Sequence, residues 1–138
     1  LKDNIELLDE KVKNKIKLHN IGIWDKKDTV FYNELNTGSI IDSTSTGIIG
    51  NVDSLDNLLG DTDITFLKMD IEGAEMNAIN GAKKIIQNKK PKLAICIYHS
   101  SDDLWQIPLF LKNLVPEYKI FIRHYGMDEY ETVCYAFL

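Results

Sequence analysis

One short segment, from Phe66 to Glu75, constrains the fold of this chain more than any other. It reads Phe-Leu-Lys-Met-Asp-Ile-Glu-Gly-Ala-Glu, so a short apolar run ends in two carboxylates and a glycine, and a helical pattern begins at once. In an open α/β sheet such a junction lies at the carboxyl edge of a strand, where ligands bind and chemistry takes place. The segment therefore predicts an α/β fold with a functional site at this edge.

Hydrophobic periodicity divides the rest of the chain into helices and strands. It predicts helices over residues 1–12, 52–59, 74–88 and 104–115, and strands over residues 15–23, 29–32, 64–69, 92–98, 119–123 and 132–137. Residues 36–50 are rich in Gly, Ser and Thr and are predicted to form a loop. The last two strands are too close in sequence to be parallel, because a parallel crossover needs about a dozen residues. We therefore expect a Rossmann-like, mostly parallel sheet that finishes in a C-terminal antiparallel hairpin.

Three residues carry more specific structural predictions. Asp53 or Ser54 is expected to cap the short helix that ends at Gly60. Gly81 lies inside the predicted helix 74–88, where a glycine costs about 1 kcal/mol relative to alanine. We therefore expect another part of the chain to pack closely against Gly81.

Composition argues against several classes of partner. The formal net charge is −5, whereas a protein that binds nucleic acid generally presents a basic face. No apolar run approaches the roughly 20 residues of a membrane span, and no secretory leader is recognisable. Cys96 and Cys134 lie in apolar strand-like runs, which is typical of buried free thiols in a reducing compartment. We therefore expect a cytoplasmic protein that binds neither nucleic acid nor a membrane, and whose partner is a small molecule.

The first residues predict that the chain begins inside a structural element. Leu1, Ile5 and Leu8 lie on one helical face, but neither an initiator methionine nor a capping residue precedes them. With 138 residues the chain is long enough for one domain with a core. We therefore expect residues 1–138 to form a single, partial domain.

Several motifs, in this order and spacing, resemble those of one enzyme family. Phe66–Glu75 matches the pattern hydrophobic-Lys-x-Asp-(Ile/Val)-Glu-Gly-Ala-Glu, and Val52–Leu59 matches Val-x-(Ser/Thr)-Leu-Asp-x-Leu-Leu. Further matches are Gly81-Ala82, Pro91, Ile97-Tyr98-His99, Asp103-Leu104-Trp105 and Arg123-His124. The chain thereby resembles the FkbM-type methyltransferases, which depend on S-adenosylmethionine, and the last three matches resemble one bacterial branch of that family.

The resemblance implies a Rossmann-like class I methyltransferase sheet that is N-terminally truncated. In this family a glycine-rich turn after the first strand and an acidic residue after the second hold the cofactor, and no Gly-x-Gly occurs in this chain. The chain alone is therefore expected not to bind S-adenosylmethionine usefully. Without the first two strands the third strand loses its neighbours. We expect either a rearranged pairing of residues 15–34 or a homo-oligomer formed through the unpaired strand edges.

Two strand-end carboxylates and one histidine are the candidate catalytic residues. Asp70 and Glu72 follow the central strand, and His99 follows the next strand at the same edge of the sheet. A hydroxyl that accepts a methyl group benefits from a general base within hydrogen-bond reach, which these side chains can supply. The structural alternatives are stabilisation of the helix N-terminus by Asp70 or Glu72, and a hydrogen-bonded turn for His99.

The same junction contains a third carboxylate, that of Glu75, and has oxygen ligands of the kind that bind a metal ion. Glu75 is expected to be exposed or to match the helix dipole, and not to act in catalysis. Asp70 and Glu72 can share a divalent cation through their oxygen atoms, but the sequence offers no third ligand beside them. We therefore predict no metal site.

Contacts to the cofactor and the acceptor follow from topology. In class I methyltransferases the residues after the third strand approach the adenine, so Ile23 and Trp24 are predicted cofactor contacts. Asp70, at the end of the central strand, is predicted to be a third. The predicted acceptor contacts are four side chains, His99, Trp105, Arg123 and His124. An Arg-His pair suits an anionic acceptor, whereas core packing of the tryptophan and a solvated loop are the structural alternatives.

The resemblance implies that the intact protein transfers a methyl group to a hydroxyl of a sugar or another small-molecule acceptor. Two alternatives stay open. A non-catalytic Rossmann-like scaffold or interaction module would use the strand-end carboxylates structurally. A phospho-accepting receiver domain shares the pattern of an apolar strand followed by Asp, but it ends in a helix, whereas this chain ends in the strand-like run Cys134–Leu138.

Overall fold

A computed structural model describes residues 2–35, 38–42 and 48–138 of the chain. The helices are α1 (Lys2–Glu6), α2 (Glu10–Lys13), α3 (Leu55–Leu59), α4 (Glu75–Asn80), α5 (Lys83–Lys89) and α6 (Asp103–Leu114). The strands are β1 (Gly22–Ile23), β2 (Asp28–Leu35), β3 (Gly38–Asp42), β4 (Ile48–Asp53), β5 (Phe66–Met69), β6 (Lys92–Cys96), β7 (Lys119–His124) and β8 (Thr132–Phe137). The predicted α/β class is confirmed.

The strands form two mixed sheets. The first has the order β1-β4-β2-β3 and the second the order β5-β6-β8-β7. Within the described residues only the pairs β1–β4 and β5–β6 are parallel, and the other four pairs are antiparallel. The expectation of a mostly parallel sheet is therefore wrong. The C-terminal hairpin is present, because β7 and β8 pair antiparallel from Lys119 opposite Phe137 to His124 opposite Thr132.

The first sheet differs most from the prediction. Residues 38–42 and 48–53 form strands where a loop was expected, while residues 36–37 and 43–47 of that loop lie outside the described part of the chain. Isoleucine pairs at 40–41 and 48–49 favour strands, and the intervening Gly, Ser and Thr residues obscured them. Of the predicted strand 15–23 only Gly22–Ile23 is regular. It pairs with Val52–Asp53 of the same chain, so the rearranged pairing of this region is internal.

Two predicted helices are each interrupted. The opening helix divides at Leu7–Asp9, because the Asp9 carboxylate accepts a hydrogen bond of 2.8 Å from the Lys11 N–H and starts α2. The predicted helix 74–88 divides at Gly81–Ala82 into α4 and α5.

In the sixth helix Pro108 lies inside the helix rather than in its first turn. A proline there cannot donate to the Leu104 carbonyl.

The core lies where α4, α5 and α6 pack on the second sheet. The apolar side chains at positions 78, 79, 82, 85 and 86, in and between α4 and α5, are all buried. Other fully buried side chains include Leu93, Ile95, Ile97, Ile107, Leu111 and Tyr118. Tyr118 keeps its hydroxyl satisfied by donating to the Pro91 carbonyl at 2.6 Å. None of the helices that the structure describes is long and apolar enough to cross a bilayer.

Gly81 is the point where the helical layer touches the first sheet. A Cβ atom at this position would lie 2.1 Å from the Trp24 carbonyl oxygen and 3.1 Å from the Asp25 Cα. Both neighbours are backbone atoms, which cannot move aside as a flexible side chain can. The predicted close packing at Gly81 is thus confirmed, and its partner is the turn that follows β1.

The segment Val52–Leu59 contains α3 and contacts the start of α5. Ser54 is the N-cap of α3 and accepts a hydrogen bond of 3.2 Å from the Asn57 N–H. The Asp56 carboxylate accepts the N–H groups of Lys84 and Ile85, each at 3.0 Å. Because α5 has no side-chain cap of its own, Asp56 stabilises the N-terminus of α5 from another helix.

Replacing Gly81 with alanine is expected to lower the free energy of unfolding by about 1–3 kcal/mol, because the added methyl group overlaps backbone atoms of Trp24 and Asp25. Urea denaturation measures this change. Gln87→Ala, at an exposed position of α5, is the control and is expected to stay within about 0.5 kcal/mol of the wild type. An unchanged stability of Gly81→Ala would contradict the close contact.

Removal of the Asp56 carboxylate is expected to destabilise the protein by about 0.5–2 kcal/mol, because two N–H groups of α5 lose their acceptor. Thermal unfolding of Asp56→Ala, compared with the exposed Asp61→Ala, measures the effect. If both variants unfold at the same temperature, the cap does not contribute to stability.

Candidate functional site

The parallel strands β5 and β6 end at the same edge of the second sheet and bring the strand-end residues together. Asp70 follows β5 directly, and His99 lies shortly after β6. His99 Nε2 lies 3.7 Å from Asp70 Oδ1 and 3.6 Å from Glu72 Oε2. On the other side of the ring, His99 Nδ1 lies 3.0 Å from Glu75 Oε1. The three predicted catalytic residues therefore form one cluster with Glu75, which we call the edge cluster.

The turn between β5 and α4 has an unusual backbone. Glu72 has a φ of 57° and Gly73 a φ of 91°, both in the left-handed region. Such a conformation is ordinary for glycine but costs about 1–3 kcal/mol for other residues. A local interaction must therefore hold Glu72 in this turn.

The Glu75 carboxylate supplies that interaction. Its Oε1 accepts the Ile71 N–H at 2.8 Å, and its Oε2 accepts the Gly73 N–H at 2.9 Å. The expectation that Glu75 is exposed is wrong, because its side chain is 0% exposed. Glu75, and not Glu72, thus satisfies two N–H groups of the turn that precedes α4, and the N-cap residue Ala74 makes no side-chain hydrogen bond.

His99 is buried inside the edge cluster without an aligned partner. Its side chain is 10% exposed, and neither ring nitrogen has a hydrogen-bond partner among the described residues. The short distance from Nδ1 to Glu75 is close enough for an ion pair, but the two groups are not aligned as donor and acceptor. Buried polar atoms normally have hydrogen-bond partners, so the two ring nitrogens of His99 are free to bind a ligand.

A further carboxyl group, that of Asp103, is near enough to Glu75 and His99 for their charges to act on it. It is 7% exposed and begins α6. Burial raises the pKa of Asp103, the charge of Glu75 raises it further, and His99 partly opposes both effects. Asp103 therefore adds a fourth carboxyl group to the electrostatic surroundings of the edge cluster.

Asp70 differs from Asp103 in its electrostatics. Partial burial alone would raise the pKa of Asp70, but hydrogen bonds from Tyr98 and Cys96 and the nearby charges of Lys68 and His99 outweigh it and lower the pKa. The Tyr98 hydroxyl donates to Asp70 Oδ1 at 3.0 Å. Asp70 is therefore held in its ionised form.

A groove of about 770 Å³ runs between the first sheet and the turn at 71–74. It is lined by residues 19–24, Val30, residues 49–52 and residues 71–74. Ile23 and Trp24 line it, as does Glu72, whereas Asp70 does not. Glu72 thus belongs both to the groove and to the edge cluster.

The sequence matches the family model described as the methyltransferase FkbM domain over residues 1–127, which is most of the chain. The chain belongs to the FkbM methyltransferase family. This confirms the family predicted from the motifs. No protein of curated function matches the chain.

The fold of this FkbM-family chain is similar to a solved structure, the methyltransferase FkbM from Methylobacillus flagellatus KT. The identity is 28% and the TM-score 0.80, and the match covers 99% of this chain and 32% of that one. The chain therefore spans about a third of the length of that protein. The mixed sheets described above are part of this shared α/β fold.

The predicted acceptor contacts other than His99 lie elsewhere in the FkbM-family chain. Trp105 is 57% exposed and lines a second cavity of about 500 Å³ between α6 and β7. Arg123 is exposed in β7. His124 Nδ1 lies 2.8 Å from Thr132 Oγ1, across the hairpin. The described structure puts none of these three residues in the edge cluster or the groove, and their role stays a prediction.

Sequence analysis missed two members of the site and misjudged a third. Tyr98 and Asp103 were seen only as parts of family motifs, although Tyr98 holds Asp70 and Asp103 faces Glu75. The sequence did contain one signal for Tyr98. It follows the same strand as His99, so it was expected at the same sheet edge. For Asp103 and Glu75 no local signal existed, since their burial depends on the packing of α6 and α4 at the sheet edge.

Replacing Tyr98 with phenylalanine is expected to raise the pKa of Asp70 toward its ordinary value, because the hydrogen bond to the ionised carboxylate is lost. Carbon-13 NMR of the Asp70 carboxyl measures this pKa. A lowered pKa stabilises the folded state at neutral pH, and that contribution disappears as the pH falls through the folded pKa. The stability deficit of Tyr98→Phe is thus expected to shrink in acid.

The control for this measurement is Tyr125→Phe, which removes a hydroxyl that contacts Tyr135 at 3.0 Å and not the edge cluster. The pKa of Asp70 is expected to be the same in this control as in the wild type. An unshifted Asp70 pKa in Tyr98→Phe would show that the tyrosine does not set it.

Proposed function

We propose that these residues belong to an S-adenosylmethionine-dependent O-methyltransferase that methylates a hydroxyl of a sugar or another small-molecule acceptor. Membership in the FkbM methyltransferase family supports the reaction class. One observation carries the proposal for the site: Glu72 lines the groove, and its Oε2 lies 3.6 Å from His99 Nε2. A ligand in the groove would therefore adjoin a cluster of acid-base groups.

The groove is suited to the adenosyl part of the cofactor. Its volume of about 770 Å³ is within the range of small-molecule sites, about 300–1,000 Å³. Ile23 and Trp24 offer apolar contacts for an adenine ring, whereas Asp70 does not line the groove and lies near the same His99 nitrogen as Glu72. Because no Gly-x-Gly occurs in the chain, we propose that residues outside these 138 complete the cofactor site and that the chain alone is inactive.

When bound, S-adenosylmethionine supplies a methyl group on a sulfonium centre. Glu72 is suited to accept the proton of the acceptor hydroxyl, because its side chain is 45% exposed and lines the groove. The pKa of Asp70 is lowered, so this carboxylate stays ionised and is suited to orient the hydroxyl. His99 lies behind both carboxylates, with Nε2 3.7 Å from Asp70 Oδ1 and 3.6 Å from Glu72 Oε2.

Orientation is expected to contribute most of the rate. Holding two reactants in a productive geometry can lower a barrier by about 7–11 kcal/mol. The turn that carries Glu72 is fixed at both ends by Glu75, so this carboxylate starts from a defined position. Acceptor contacts by Trp105, Arg123 and His124 stay a part of the proposal.

Calorimetric titration with S-adenosylmethionine and its demethylated product tests the proposal. We expect no useful binding to the 138-residue chain, and binding to a longer natural polypeptide that contains it. Absence of binding to both would contradict the enzyme proposal and favour the non-catalytic module.

In a polypeptide that binds the cofactor, Glu72→Gln is expected to slow methyl transfer to a hydroxyl acceptor by about 10²–10⁴-fold with little change in cofactor affinity, because the amide cannot accept the proton. Glu117→Gln is the matched control. Glu117 pairs with Lys90 on the surface, and loss of such a pair has a small effect. An unchanged rate in Glu72→Gln would assign the base elsewhere.

A further inference from the structure

The edge cluster has the composition of a metal site. One atom each from Asp70, Glu75 and His99 can be chosen so that all lie within 4.8 Å of one another. Ligand atoms at about 2.1 Å from an ion are at most about 4.2 Å apart. The three chosen atoms therefore need to approach one another by less than about 1 Å to share a cation.

A second, independent observation concerns the imidazole. The His99 side chain is 10% exposed, points into the carboxylates, and has no hydrogen-bond partner on either ring nitrogen among the described residues. A histidine that served only as a structural element would be expected to use at least one nitrogen in an aligned bond. Both nitrogens are therefore available to a ligand.

The charge around the imidazole also favours a cation. Glu75 is fully buried, and carboxylate oxygens of Asp70, Glu72 and Glu75 lie 3.0–3.7 Å from the ring nitrogens of His99. Lys68 is the basic side chain, besides His99, that lies within 4 Å of these groups in the described part of the chain. Its Nζ is 3.5 Å from Asp70 Oδ2. The two N–H groups on Glu75 offset its charge only partly.

We propose that Asp70, Glu75 and His99 bind one divalent transition-metal ion, with Glu72 beside it. One imidazole nitrogen combined with carboxylate oxygens suits Mn²⁺, Fe²⁺ or Zn²⁺, whereas Mg²⁺ and Ca²⁺ prefer oxygen ligands alone. This inference goes beyond the proposed methyl transfer and does not rest on it. It departs from the sequence prediction of no metal site, which rested on the lack of a third ligand beside Asp70 and Glu72, because the structure brings Asp70, Glu75 and His99 together.

Mn²⁺ alone is the probe that tests the site. The electron paramagnetic resonance signal of free Mn²⁺ disappears on binding, so titration of the metal-free 138-residue chain gives stoichiometry and affinity without any methyl donor. We expect one ion per chain, with Mg²⁺ competing only in large excess. Absence of stoichiometric binding would overturn the proposal.

Variants locate the ion. Asp70→Asn and His99→Asn are each expected to weaken Mn²⁺ binding by at least about tenfold, because loss of even an outer partner of a metal site costs about 10–100-fold. Asp61→Asn, an exposed aspartate away from the cluster, is the matched control and is expected to bind as the wild type does. Equal affinity in all three variants would show an adventitious ion elsewhere and would overturn the site.

A second measurement does not depend on the folding of any variant. In the wild-type chain, a small amount of Mn²⁺ is expected to broaden the ring-proton NMR signals of His99 before those of His19 and His124. Uniform broadening of the three histidines, or selective broadening of another one, would overturn the site. Because both readouts use the metal alone, failure of the metal proposal is distinguishable from failure of the proposed methyl transfer.

Discussion

The buried carboxylate of Glu75 is the interaction on which the site depends. It accepts two backbone N–H groups of the strand-to-helix turn and faces the ring of His99. The first contacts hold Glu72 and Gly73 in left-handed conformations, and so determine where the Glu72 side chain lies. The second places a carboxylate oxygen 3.0 Å from His99 Nδ1, in a ring that has no aligned hydrogen-bond partner among the described residues. One side chain thus organises both the backbone and the chemistry of this edge.

Two contacts connect this edge to the first sheet. Gly81 brings the end of α4 against the backbone of Trp24, and Asp56 fixes the start of α5 to the segment that follows β4. Because α4 begins at the edge cluster and ends at Gly81, it spans from the cluster to the first sheet. The groove lies between these supports, with Trp24 on one wall and Glu72 on the other.

Much of the second sheet could be predicted, because its elements carry their own signals. Thr132–Phe137 was found with its correct bounds, and the buried faces of α4 and α5 follow their apolar spacing. The first sheet could not be predicted as well, since Gly, Ser and Thr residues obscure the isoleucine pairs of β3 and β4, and the two neighbours of β4 are set by tertiary pairing. Parallel or antiparallel pairing also depends on which strands become neighbours, and local patterns do not encode that choice.

The sequence by itself determined the α/β class, the family, and the presence of Asp70, Glu72 and His99 at one sheet edge, because strand ends and helix starts are local features that bring such residues together. Only the tertiary structure decided that Glu75 and Asp103 are buried beside His99, that Tyr98 holds Asp70, and that Ile23 and Trp24 share a groove with Glu72. Burial and charge balance are set by the elements that pack around a residue. In this chain those elements, α6 and the first sheet, are distant in sequence from the junction they complete.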